Sequence, residues 1–433
     1  MAPSETRSST GFLTGESVPV PQKSPWECLT RAAARAYGQA LFLWEAPRGE
    51  AFAGIGAACR IGARGPGRFE EIRRRVSELL ADAEHRGSVP APFPGPVAIG
   101  GFAFGERSAE GPYSGFGDAL FYVPARMFWN AASGETMETR WTAEGPAAKS
   151  APPERNPEDG ALPGGEMSRA RWNEAVRSSL DRIREGGFSK VVLARAEAIP
   201  LRQDASALTI MESLRSAYPD CYRFLIDDGE GNAFLGASPE RLVRLAHGEV
   251  LSEAVAGTLR CDPGDDALAL AQELAGSEKN RSEHRIVLDH LLQTLGPVCE
   301  ALDAPRGPEV MRLPHLLHLR TKVAGRAHAG ANVLDLVSRL HPTPAVAGWP
   351  RAEALAWIAR AEPEDRGWYA GPVGWVDAKG SGDFAVGIRS ITMRGRTARL
   401  FAGAGIVEGS DPDLEWSEID LKMKGIQDAI ARD

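Results

Sequence analysis

The chain has 433 residues, 43% of them hydrophobic, enough to bury a large core as one big unit or as two intertwined lobes. A formal charge of -8 with no dense run of Lys and Arg argues against a nucleic acid or another polyanion as partner, so the expected ligand is a small molecule. No apolar run approaches a membrane span, and the five cysteines are odd in number and scattered, with no C-x-x-C, so neither a disulfide framework nor a zinc site is indicated.

Residues 1–24 are polar, rich in Ser, Thr, Gly and Pro, and lack the apolar core of a signal peptide; they are expected to be a disordered N-terminus on a cytoplasmic protein. Residues 25–145 carry short apolar runs broken by glycines at 41–44, 97–104 and 119–129, as strands do, and one amphipathic helix around 69–84. These strands lack a sheet of their own, so they are expected to join the same assembly as the rest of the chain. Residues 146–165 are dense in Pro, Gly and charge and read as an exposed loop or linker.

Beyond the linker, Trp172, Val176, Leu180 and Ile183 recur at helical spacing and stop at Gly186-Gly187. A strand follows at 190–195, on which Lys190, Val192 and Ala194 share a face, so Lys190 either sits in solvent at a sheet edge or points into a cavity. Further strands are expected at 222–226, 233–236, 242–245 and 250–255, and a helix or helix pair over 265–295. Helical patterns return at 333–340 and 351–361, and strands at 371–376, 384–393 and 398–403. Asp411-Pro412 then starts a helix, Asp as cap and Pro at the first position. On it Glu418 and Lys422 stand four apart on one face with Glu415 a turn earlier. Such a pair is ordinarily a solvated surface pair worth a few tenths of a kcal/mol, but below a strand ending in Ala402-Gly403-Ala404-Gly405 it also suits an anion site. Runs of strands interrupted by helix pairs, without strict β-α-β alternation, favour an α+β protein with antiparallel sheets.

Eight segments occur in one order: KVVLAR at 190–195, FLGASPER at 234–241, AVAGTLR at 254–260, EKNRSEH at 278–284, HPTPAVAGWP at 341–350, GIRS at 387–390, FAGAGIV at 401–407 and EWSEIDLK at 415–422. Over residues 166–430 this series resembles the chorismate-utilising enzymes, and among them the isochorismate synthases. The resemblance implies a single large α+β unit, with large antiparallel sheets packed on each other and helices outside. It also implies Mg²⁺-dependent, reversible conversion of chorismate to isochorismate, an isomerisation in which water attacks ring C2 while the C4 hydroxyl leaves. The protein is expected to act as a monomer, with no obligate amidotransferase subunit. Isochorismate feeds menaquinone, catechol siderophores and salicylate, and nothing in the residues chooses between these.

By the resemblance Lys190 is the base that activates water, which requires bringing a lysine down from its ordinary range toward roughly 7 to 8. Glu240 looks like the acid for the leaving hydroxyl, which needs a raised pKa in a partly desolvated place; without the family pattern Glu240 reads as a surface partner of Arg241 or Arg244. Glu283 and Glu418 match the magnesium ligands, with Glu278 and Glu415 able to add negative potential through water. Arg389 and Lys422 match the positions that hold the substrate carboxylates, and Gly403 lets the backbone approach closely. His318, Gly257, Thr258, Ala345 and Tyr369 fall at the remaining substrate-binding positions, although His315 lies close enough to be confused with His318.

Three departures sort the activity within the family. Aminodeoxychorismate synthases carry a lysine nucleophile where this chain has Ala256, and anthranilate synthases, which use ammonia, generally lack the base lysine present here as Lys190. Salicylate synthases share Lys190 and Glu240 but tend to place a threonine in the stretch that is Ala345-Val346-Ala347 here, so they are the runner-up. A dinucleotide site at Gly403-Ala404-Gly405 is disfavoured, because no complete G-x-G-x-x-G and no following β-α-β unit are present.

Overall fold

The computed structural model describes residues 12–47, 49–87, 95–105, 115–144, 165, 167–203, 205–262 and 264–431. The expected 146–165 linker therefore lies almost wholly outside the described residues. The start of the chain differs from expectation. Residues 1–11 lie outside the description, but Phe12–Val20 (β1) pairs antiparallel with Thr136–Glu144 (β7) and parallel with Glu84–Arg86 (β4). The alternation of Leu13 into the core with its polar neighbours outward was too short and polar a signal to stand out.

The strands form one hydrogen-bonded ribbon. From Gly348–Trp349 (β16) it runs through Lys190–Pro200 (β8), Thr397–Ile406 (β20), Ser390–Arg394 (β19), Asn232–Ser238 (β10) and Tyr222–Asp227 (β9). It continues through Leu41–Glu45 (β2) and Ala51–Ala63 (β3) to Ala119–Asn130 (β6). On its far side β6 carries β7 at one end and Val97–Phe102 (β5) at the other. From β5 the ribbon passes to Pro372–Asp377 (β17), Gly382–Val386 (β18), Arg241–Ala246 (β11), Glu249–Cys261 (β12) and His315–Ala327 (β15). Cys299–Asp303 (β13) and Glu309–Leu313 (β14) close the edge of β15. Strands from before the linker thus sit in the middle of the ribbon, and the molecule is one α+β unit.

Burial on both faces explains why several strands read as unbroken apolar runs. In β2, Leu41 and Leu43 enter one core while Phe42 and Trp44 enter a second, aromatic core across the sheet. The larger core is covered by helices including Pro25–Ala33 (α1), Arg68–Ala81 (α2), Arg169–Arg184 (α3) and Ala207–Ala217 (α4). Ala267–Gly276 (α5) and Glu278–Leu295 (α6) follow, then Val333–Leu340 (α7), Arg351–Ala361 (α8) and Pro412–Ala431 (α9). The 265–295 pattern is a helix pair. Ser277 ends α5 and caps α6, its hydroxyl accepting from the Asn280 N–H at 3.3 Å. The expected single strand over 384–393 is two strands, β18 and β19, interrupted where Arg389 takes a left-handed φ of 52°.

Candidate active site

The two ends of the ribbon face one another across a cavity. On one side are β8 and β20, with α9 behind them; on the other are β12, β15 and α6. The loop after β10 and the segments around residues 345 and 369 close the remaining walls. Of the twelve site residues expected from the sequence, eleven line this cavity: Glu240, Gly257, Thr258, Glu283, His318, Ala345, Tyr369, Arg389, Gly403, Glu418 and Lys422. The twelfth, Lys190, stands against its wall. It is wholly buried at the start of β8, its Nζ 3.0 Å from Glu283 Oε1. Distance makes this an ion pair, but the angle is not that of a hydrogen bond, and the ammonium has no other hydrogen-bond partner among the described residues. Lys190 is therefore no edge lysine, because Trp349 of β16 pairs beyond it.

Glu240 owes its place to a turn. Its carbonyl accepts from the Val386 N–H at 3.1 Å and its own N–H donates to Ser238 Oγ at 3.2 Å, which fixes the residue between β10 and β11. It pairs with neither neighbouring arginine: Arg241 meets Glu253 and Asp383, and Arg244 meets Glu50. Burial pushes its carboxyl up to about 8, with the charge of Glu253 adding to the rise and Lys190 and Lys422 opposing it. At neutral pH that shift favours the protonated carboxyl.

Arg389 and Lys422 supply positive charge. The turn at Arg389 places a buried guanidinium at the cavity wall, and desolvation pulls its pKa below the ordinary range. Lys422 donates to the Gly403 carbonyl at 2.8 Å and lies 2.6 Å from Glu418, so the pair read on α9 faces inward instead of solvent. Burial pushes Glu418 upward, but the Lys422 ammonium outweighs it and holds the carboxyl below its ordinary value. Glu415 is raised by burial and by the charge of Glu418, against Lys279, which lies 2.6 Å from it. Glu278 begins α6 and does not line the cavity.

Two glycines are required by close approach. Gly257 forms a bulge in β12 with a φ of 77°, and a Cβ there would sit 3.1 Å from Asn280. Gly405 faces Glu283, whose Oε1 a Cβ would strike. His318 places Nδ1 3.3 Å from the Gly257 carbonyl and 3.2 Å from Thr258 Oγ1. Burial, with Arg389 and Lys422 nearby, lowers its pKa to about 3, so the ring is neutral. The carbonyl only accepts, so Nδ1 carries the proton and Nε2 remains an acceptor. His315 instead pairs with Asp262 at 2.9 Å, away from the cavity. Tyr369 stacks on Phe401, ring centroids 5.1 Å apart.

Sequence reasoning passed over Arg366 and Glu362, which line nothing yet brace the walls. It also missed Lys279, whose partner Glu415 lies 136 residues away. The only signal in the chain was their position in charged stretches, EKNR and EPEDR, where such residues usually face water.

With Lys190, Arg389 and Lys422 against Glu283 and Glu418, the cavity carries one net positive charge around hard oxygen donors. That defines a receptor for a small, carboxylate-bearing ligand. Residues 4–431 match the model of the chorismate binding enzyme family, and the chain belongs to that family. It is 33% identical over 420 residues to isochorismate synthase MenF of Bacillus subtilis, covering 92% of this chain and 89% of that one. To the salicylate biosynthesis isochorismate synthase of Pseudomonas aeruginosa it is 35% identical over 408 residues, 90% of this chain and 84% of that one. The solved structure of MenF, the menaquinone-specific isochorismate synthase from Escherichia coli, superposes with a TM-score of 0.78 at 27% identity, covering 98% of this chain and 95% of that one.

Proposed function

We infer that this protein is an isochorismate synthase, an isomerase that interconverts chorismate and isochorismate. The observation that carries the reading is the pairing, at one cavity, of a carboxyl held protonated, Glu240, with a buried lysine, Lys190, against the wall. Isomerisation by hydroxyl transfer needs both an acid and a base. Glu240 gives its proton to the departing C4 hydroxyl, and Lys190 takes one from the water that attacks C2. Arg389 and Lys422 hold the two carboxylates and so fix which ring face meets each group. His318 Nε2 and Thr258 stand ready to accept or donate to ligand hydroxyls. Ala256 offers no amine for a covalent adduct, and Ala345 and Val346 present no hydroxyl that would steer the pyruvyl group toward elimination.

The donor set fits Mg²⁺. A dianionic ligand would turn the cavity's single positive charge negative, and a divalent cation restores the balance. Glu283 and Glu418, which both line the cavity, would hold it, Gly405 leaves Glu283 room, and water and ligand oxygens would complete the shell. When bound, the ion would neutralise carboxylate charge and polarise the ligand. The enzyme acts on chorismate alone, as a monomer, with no nucleic-acid or membrane partner, in the cytoplasm; among the described residues no helix is long and apolar enough to cross a membrane.

Lys190→Ala and Glu240→Gln test the assignment. Each should lower turnover by about 10²-fold or more while chorismate affinity, read by calorimetry, changes little. Near-normal turnover in Lys190→Ala would exclude it as the base.

A further inference from the structure

Arg366 lies outside the cavity, 2% exposed, in the turn between α8 and β17. Its guanidinium nevertheless reaches two cavity walls at once. Nη1 donates to the Val346 carbonyl at 2.7 Å and Nη2 to the Val192 carbonyl at 2.8 Å, and both valines line the cavity. Glu362, four residues earlier, closes the arrangement, accepting from Nε at 2.8 Å and from Nη2 at 2.5 Å. The same carboxylate takes the Ala194 N–H of β8 at 2.8 Å. One face of the guanidinium lies over the Phe104 ring, 4.4 Å from its centroid, and the Arg366 carbonyl accepts from the Tyr369 N–H at 3.0 Å. One buried residue thus ties together the strand that carries Lys190, the Ala345-Val346 wall and the segment that presents Tyr369.

We propose that Arg366, held by Glu362, is a positioning residue that fixes the Ala345-Val346 wall relative to Lys190, and thereby both the rate of hydroxyl transfer and the suppression of pyruvate loss. The physical reason is geometric. The 343–349 segment is tied to β8 by only a few backbone bonds, Val192 N–H to the Ala347 carbonyl and the two-residue β16 pairing among them. Only a planar fork with several fixed donors spans two carbonyls on different segments while answering a carboxylate; a lysine offers one flexible point. Displacing a reacting group by about 1 Å costs up to 10²-fold in rate.

The proposal rests on the reading of this cavity as the reaction site, and its test separates the two. Removing one partner alone leaves an uncompensated buried charge and threatens folding, so the informative variant is the double replacement Arg366→Met with Glu362→Met, which removes both charges at similar volume. Arg366→Lys serves as the second variant. At a temperature well below each variant's melting point, kcat should fall about tenfold or more with KM within about threefold, and the fraction of chorismate lost as pyruvate should rise. A residue with only a structural role would lower the melting temperature and leave kcat and the product ratio of the folded protein unchanged; that result in both variants overturns the proposal. Lys190→Ala, run beside them, reports on the site itself. If it retains turnover, the site assignment fails, whereas a dead Lys190→Ala with normal Arg366 variants sinks only the positioning role.

Discussion

Glu240 can act as an acid because its surroundings only partly repay the loss of water around its charged form. Burial dominates its shift to about 8, and the two lysines that favour ionisation do not overcome it. The same shift has a cost for the fold. The native state keeps the proton up to about pH 8, whereas the unfolded chain releases it near 4.5, so native stability declines as pH rises across that interval. Glu240→Gln removes the penalty. In thermal melts without ligand, the advantage of this variant in melting temperature should be near zero at low pH and widen up to about pH 8; a constant difference would show that Glu240 does not titrate there. Activity carries the other sign of the same shift. In kcat against pH, the limb that reports the acid should fall as pH rises through about 8, because Glu240 then has no proton to give.

At the scale of elements, the catalytic geometry depends on two strands meeting helices without side chains in between. Gly405 of β20 faces Glu283 of α6, and Gly257 bulges from β12 beneath Asn280. Gly405→Ala should push the Glu283 carboxylate aside, raising the Mg²⁺ concentration for half-maximal activity by about tenfold or more with little change in melting temperature. An unchanged Mg²⁺ requirement would remove Glu283 from the ion's ligands, as would full activity in EDTA. Gly257→Ala acts on the backbone, since alanine resists a φ of 77°; it should lower stability by roughly 1–3 kcal/mol in denaturant melts. These elements differed in how far the sequence revealed them. Helices α7 and α8 were legible to the residue, because apolar spacing and clear stops agree there. Strand β3 was not: AFAGIGAACRIGA is built of small residues whose burial comes from neighbouring sheets and not from their own propensity. Strand β15 was hidden in the same way by its histidines and charges, although it carries His318. The break at Arg389 could not be read, because a non-glycine residue at positive φ leaves no local mark.

For the whole molecule, the decisive fact is that β2 pairs with β9 and β5 with β17, so residues before and after the linker share one sheet. Residues 165–433 expressed alone would expose both of these edges and the part of the aromatic core around Phe224, Phe234, Trp368 and Trp375; they should be insoluble or inactive, and co-expression with residues 12–144 should restore activity. A stable, active 165–433 fragment would contradict the single-unit account. The family motifs brought the site residues together on paper because the strands, turns and helix faces that carry them line one cavity. What held them there stayed illegible: Arg366, Glu362 and Lys279 act through partners distant in the chain, and only folding pairs them. The measurement that bears most directly on function is an assay of the purified protein with Mg²⁺, started separately from chorismate and from isochorismate, with products resolved by chromatography. Both starting points should converge on one mixture of the two isomers, with little salicylate and no product that depends on ammonia. Salicylate with pyruvate dominating from the earliest time points, or no return of chorismate from isochorismate, would contradict it.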